Sequence, residues 1–163
     1  MQQLFSVGPA LLRLLLPLLT SLSLAGCAAS GALFQGYQAP TEGNAEVVFY
    51  RLDFFRAGGE SVNVYVDDAH VGTLKNAGWL SVPVKPGERA LRLSERFSLL
   101  SRDVKLNVTT RTGEPVAIRV LPGGLSGMLP TGAGPVLAFG PWTMQQVPSS
   151  LAANELKSLK RSQ

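Results

Sequence analysis

Residues 61–84, SVNVYVDDAHVGTLKNAGWLSVPV, decide the fold. Val62, Val64 and Val66 alternate with Asn63 and Tyr65, and Leu80, Val82 and Val84 fall on one side with Ser81 and Lys85 on the other. A period of two sends every second side chain to the same face, the pattern of a strand half buried against a core. Asp67-Asp68-Ala69 forms a tight turn into HVGTL, and Lys75-Asn76-Ala77-Gly78 is a second turn signal. The stretch therefore predicts consecutive short strands rather than a helix.

The same period continues on both sides. EVVFYRL, from Glu46, is apolar on mixed faces and reads as a buried strand. ERALRLS turns Leu91 and Leu93 inward, DVKLNVT turns Val104, Leu106 and Val108 inward, and PVAIRVL does so with Val116, Ile118 and Val120. Gly58-Gly59, Pro86-Gly87 and Thr112-Gly113 punctuate these runs. Seven such strands predict an all-β fold, a small antiparallel β-sandwich of the immunoglobulin-like kind, with roughly 100 residues. A doubly wound parallel sheet is excluded, because its central strands would be apolar on both faces.

Residues 121–140, LPGGLSGMLPTGAGPVLAFG, break the pattern. They are apolar yet dense in Gly and Pro, which predicts a mobile loop with PVLAFG as a last strand. Leu125, Met128 and Leu129 have no obvious burial site there: the first reading is a loop folded over the end of the sandwich, and the alternative makes them contacts for a partner or a bilayer. After the loop, PSSLAANELKSLKRS predicts a short C-terminal helix with a serine N-cap. Ala152, Leu156 and Leu159 form its packed face, and Lys157, Lys160 and Arg161 its last turn.

The N-terminal third is of another kind. Arg13 precedes an apolar run, Leu14 to Leu24, broken by Pro17, Thr20, Ser21 and Ser23. A span needs about 20 apolar residues, so the run is too short to cross a bilayer and reads as a secretory signal, residues 1–26. Leu24-Ala25-Gly26-Cys27 resembles the lipobox of bacterial lipoproteins and contains the chain's only cysteine. The resemblance implies cleavage between Gly26 and Cys27, a diacylglyceryl group on the Cys27 thiol, and acylation of the new amino terminus. One acyl chain holds a protein marginally and two or three hold it firmly. Ala28 stands where aspartate would imply inner-membrane retention by resemblance to enterobacterial lipoproteins, so the implied address is the periplasmic face of the outer membrane. Residues 27–45 then read as a lipidated, flexible tether rich in Ala, Gly and Ser, with docking of Leu33, Phe34 and Tyr37 on the domain or the lipid surface as the alternative, and residues 46–163 as the sandwich domain with its helix.

Charge narrows the partners. The chain carries 15 basic and 11 acidic residues, with no Lys/Arg-rich run. Nucleic acid binding needs a clustered basic face and is not expected. With a single cysteine no internal disulfide can form.

Over about residues 46–160 the chain resembles a bacterial lipoprotein family known as a domain of unknown function. The matching residues are Tyr50-Arg51, the hairpin Val64-Tyr65-Val66-Asp67, Gly72-Thr73-Leu74 and the Pro86-Gly87 turn. It extends loosely to PEGA-like β-sandwich repeats. The resemblance implies the sandwich and, near the end of the chain, a late strand and a helix. Asp68 stands where that family often has glycine, and Arg89 where it often has histidine, so no role of that histidine transfers.

No catalytic constellation emerges. His70 is the only histidine, with no second histidine or free thiol to complete a metal site or a nucleophile pair. Asp67 and Asp68 are explained by the turn. No Gly-x-Ser-x-Gly elbow and no phosphate-cradling loop is present. The expectation is therefore no enzyme, no metal and no cofactor. Two functions remain. One is a lipid-anchored interaction or structural module with an envelope protein partner. The alternative is a glycan, peptidoglycan or small-ligand binder using Tyr37, Tyr65 and Trp79, although Trp79 and Trp142, in strand-like surroundings, read first as core packing.

Overall fold

The computed structural model describes residues 28–38, 43–55, 57–95, 103–132 and 134–162. The leader 1–26, the cleavage position Gly26 and the lipidation position Cys27 lie outside the described residues.

Two sheets stack as a sandwich. One has five strands in the spatial order β10 (Thr143–Val147), β7 (Pro115–Leu121), β1 (Ala45–Arg51), β4 (Gly78–Val84) and β11 (Lys160–Arg161). The other has four, in the order β3 (Ala69–Leu74), β2 (Val62–Val66), β5 (Gly87–Glu95) and β6 (Val104–Thr110). The all-β sandwich with one short C-terminal helix, α1 (Ser149–Leu156), is what the alternation predicts. Most pairings are antiparallel, but β1–β7 and β4–β11 run parallel. The chain leaves β4 for the opposite sheet and returns at β7, and a crossover of that length permits a parallel neighbour.

The inward faces interdigitate as read. Val62, Val64 and Val66 meet Val47, Phe49, Leu80, Val84, Val116, Ile118 and Val120 across the sandwich, with Leu91, Leu93, Val108 and Trp142 completing the core. Asp67 and Asp68 take positive φ (48° and 65°), the two-residue turn that matches strand twist. The Asp67 carboxylate accepts from the Ala90 amide at 3.0 Å and from Arg89 at 2.6 Å. The backbone bond, aided by Arg89, holds its carboxyl below the ordinary value.

Strand β1 is buried at every position. Its outward residues, Val48 and Tyr50, therefore need a third layer. Phe34, Trp79, Ala117, Val147, Ala152, Leu156 and Leu159 supply it, so α1 and the segment before β1 cover the outer face of the five-stranded sheet.

Four expectations are corrected. Residues 28–38 do not form a free tether. The amides of Ala29, Gly31 and Phe34 donate to the carbonyls of Asn76, Arg161 and Leu159, and Phe34 is buried, because the exposed apolar sheet face offers it more than water does. Residues 125–139 are not a loop but a hairpin, β8 (Leu125–Thr131) and β9 (Gly134–Phe139). Its glycines serve a bulge between Leu125 and Gly127 and positive φ at Gly127 and Gly134. PVLAF is a strand, but it pairs with β8 and not with the sandwich. Lys160 and Arg161 lie in β11 rather than the last turn of α1, and the N-cap position is Pro148, with no side-chain cap.

A polar clamp fixes α1. The Tyr50 hydroxyl donates to Glu155 at 2.5 Å, and Arg119 donates to the same carboxylate through Nε and Nη2 at 3.0 and 2.5 Å. Burial pushes the Tyr50 phenol up to about 12, helped by the Glu155 bond. Desolvation alone would raise the Glu155 carboxyl, but the bonds from Tyr50 and Arg119 outweigh it and hold it below its ordinary 4.5. A carboxyl depressed on folding contributes stability that is complete above its unfolded value and is lost as pH falls through the folded one.

Glu155→Gln is expected to cost about 1.5–3 kcal/mol at neutral pH and Tyr50→Phe about 1 kcal/mol. Both are read as midpoint shifts in urea unfolding. The Glu155→Gln penalty is expected to shrink progressively below about pH 4.5, the window in which the wild-type carboxyl takes up its proton. A penalty constant down to strongly acidic pH would rule out this clamp.

Candidate functional site

One end of the sandwich gathers unrelated parts of the chain. Arg51 closes β1 opposite Gly78, which opens β4. Leu121 closes β7 opposite Thr143, which opens β10. Leu74 closes β3 opposite Val62, and the short link 75–77 joins it to Gly78. The loop 52–61, the link 75–77 and the base of the β8–β9 hairpin therefore share this end.

Ala28, the first described residue, lies there too. It bridges Asn76 in parallel, and the Ala29 amide donates to the Asn76 carbonyl at 3.0 Å. The buried Asn76 side chain ties the neighbouring loop in, since its Nδ2 donates to Asp53 at 2.6 Å and its Oδ1 accepts from the Phe54 amide at 3.2 Å. Gly78 permits this convergence. A Cβ at that position would meet Ser162 Oγ at 2.3 Å, the Lys75 carbonyl at 2.8 Å and Ala29 Cβ at 3.0 Å.

Arg51 holds the other side of this end. Its guanidinium is fully buried and donates to the carbonyls of Glu60 (2.7 Å) and Ala57, and it lies 4.6 Å from the centre of the Trp142 ring. Desolvation lowers its pKa to about 10, which leaves it charged at neutral pH. One cation thus joins the 52–61 loop to the root of the hairpin. At that root, a Cβ on Gly123 would lie 1.8 Å from the Gly140 carbonyl, so the two strands approach as only glycine allows.

Apolar side chains stand exposed at this end among charged ones, Asp53, Glu60, Lys160 and Arg161. Phe55 is fully exposed, Leu125 is 64% and Met128 63% exposed, and Phe139 stands directly across from Leu125. Leu33, also exposed, pairs with Lys160 beside Gly78. Neither hairpin strand joins either sheet of the sandwich. Among the described residues, the remaining large exposed apolar side chain is Leu151 on α1, which follows the other end of β10. The opposite end holds the turns at Asp67-Asp68, Lys85-Pro86 and Arg111–Glu114, rich in charged residues, and the link from β10 into α1.

No family model, curated protein or solved structure matches the chain. The site must be read from its own geometry.

The aromatic residues expected to form a glycan surface do not come together. Trp79 is buried under Phe34, whose ring lies edge-on at 5.4 Å, and Arg161 covers it at 5.5 Å. Tyr37 packs on Phe34 and its hydroxyl donates to the Ser149 carbonyl at 2.8 Å. Tyr65 lies on the other sheet, its ring 3.7 Å from the Arg92 guanidinium, which Asp103 holds at 3.2 Å. The structure thus separates Tyr65 from the other two, because Trp79 and Tyr37 serve the third layer. Leu125 and Met128 are exposed as expected, and Leu129 lies in β8 opposite Val136. His70 lies beside Tyr65, with ring centres 5.2 Å apart.

Sequence reasoning missed Phe55, Asn76 and the Arg51–Trp142 stack. An apolar residue beside Gly58-Gly59 was a signal for Phe55. Nothing local signals the other two, since their partners come from distant strands.

Gly78→Ala is expected to displace Ser162 and the 28–31 segment, costing about 1–3 kcal/mol as overpacking does. Hydrogen exchange at the Ala29 and Gly31 amides should accelerate well beyond the core amides of β1. Unchanged exchange there would show that the end of the sandwich does not depend on this close approach.

Proposed function

We propose that the chain is a lipid-anchored, non-catalytic module of the bacterial cell envelope. In this reading Cys27 carries the acyl chains, the body faces the periplasm from the outer membrane, and the sandwich is an interaction or structural part for another envelope component. The likeness to the lipoprotein family with the Tyr-Arg strand belongs to the same proposal.

One observation carries it. An eleven-residue apolar run, Leu14 to Leu24, leads into Leu-Ala-Gly-Cys, and the residue after that cysteine already belongs to the packed body. An apolar run ending in small residues directly before a cysteine suits lipoprotein processing, because a signal peptidase needs small residues at the bond it cuts. A non-catalytic role is supported by how the polar clusters are used. Tyr50, Arg119 and Glu155 hold a helix, Arg51 and Asn76 hold loops, and Asp67 holds a turn.

Cys27→Ser is expected to abolish alkyne fatty-acid labelling in cells, to leave the leader attached, and to remove the protein from the lipid-modified membrane pool. Equal labelling of wild type and variant would overturn the anchor.

A further inference from the structure

We infer that the Ala28 end of the sandwich is a bilayer-contact surface, with the β8–β9 hairpin and Phe55 entering the interfacial region of the membrane that holds the acyl chains. The inference rests on the acylation of Cys27.

Residues 29–34 are hydrogen-bonded to the body instead of trailing from it. Consecutive Cα atoms are about 3.8 Å apart, so with Ala28 bridged to Asn76 the acylated residue leaves the body within one residue of this end. A free segment from 28 to 45 would let the body drift and turn. A docked one presents a single end to the lipid. That end is where the exposed apolar side chains lie: Leu125, Met128 and Phe139 on the hairpin, Phe55 on the loop bonded to Asn76, and Leu33 at the rim. The hairpin has the reach for the task, since six paired residues per strand at about 3.4 Å each extend roughly 20 Å.

Its chemistry suits the occupant. Soluble surfaces seldom cluster apolar side chains without a partner, and a bilayer interface takes such a cluster next to basic groups. Lys160 and Arg161 are exposed beside Leu33, and Lys75 is half-buried next to Asn76. Asp53 and Glu60 share the rim, so the attraction is apolar first and electrostatic second. Phosphatidylethanolamine and phosphatidylglycerol headgroups meet both requirements.

The test uses the acylated full-length product in vesicles of those two lipids. Acylation consumes the only native thiol, so a single introduced cysteine accepts an environment-sensitive dye. Leu125→Cys, Met128→Cys and Phe55→Cys report on the proposed surface, and Thr112→Cys on the opposite end. The dye at the first three positions is expected to shift to the blue and to lose most of its emission to lipids brominated on the acyl chains, while the dye at 112 behaves as in water. A dye in water at all four positions on protein that still floats with the vesicles would overturn the contact surface and leave the anchor standing. A blue shift without quenching by brominated lipid would assign the surface to a second copy, and a shift seen only in native envelopes would assign it to a protein partner. Both would overturn the bilayer. Protein that does not float would overturn the anchor, and this inference with it.

Discussion

Burial of β1 on both faces is the constraint on which the rest depends. A strand of seven residues with none left in water cannot be served by a two-layer sandwich alone. Its inward side chains meet the four-stranded sheet, but Val48 and Tyr50 look the other way. Apolar area left in water costs about 25 cal/mol per Å², so some segment must cover it. Both ends of the described chain do so, α1 with Leu159 from one side and Phe34 with Tyr37 from the other. The segment before the domain is part of the domain for this reason.

Two neighbouring residues show how one strand serves opposite layers. Tyr50 points outward and joins Arg119 and Glu155, tying the helix down through charge-assisted bonds. Arg51 ends the strand with its guanidinium inside the body, forked onto two loop carbonyls and stacked on Trp142. A planar fork with five donors does this where an ammonium would not. The Tyr-Arg pair thus has a packing role at each position, and neither needs a ligand.

These ties make the molecule polar in the mechanical sense. At one end Gly78, Asn76 and Arg51 draw the N-terminal segment, the Phe55 loop and the hairpin root together. At the other, short charged turns close the strands. A lipid anchor emerging next to such an asymmetric body would orient it, whereas the same anchor on a long flexible linker would only localise it.

The strands of the sandwich were legible in the sequence because their period is local: Val62, Val64 and Val66 declare a buried face whatever they pack against. The inward Leu80, Leu91, Val108 and Ile118 were legible for the same reason, as were Ala152 and Leu156 on the packed face of α1, whereas Leu159 is buried from beyond the end of the helix. The lipobox-like motif is equally local. Glycine and proline density, by contrast, disguised the β8–β9 hairpin, since it marks both loops and bulged strands. Alternation likewise places Trp79 on an outward face, and no local pattern says that Phe34, 45 positions earlier, will cover it. Sequence alone therefore determined the strands of the sandwich that alternate with period two and which of their faces are apolar. Tertiary structure alone decided which apolar faces stay in water, because covering a face is a contest between distant segments that no short window of residues contains.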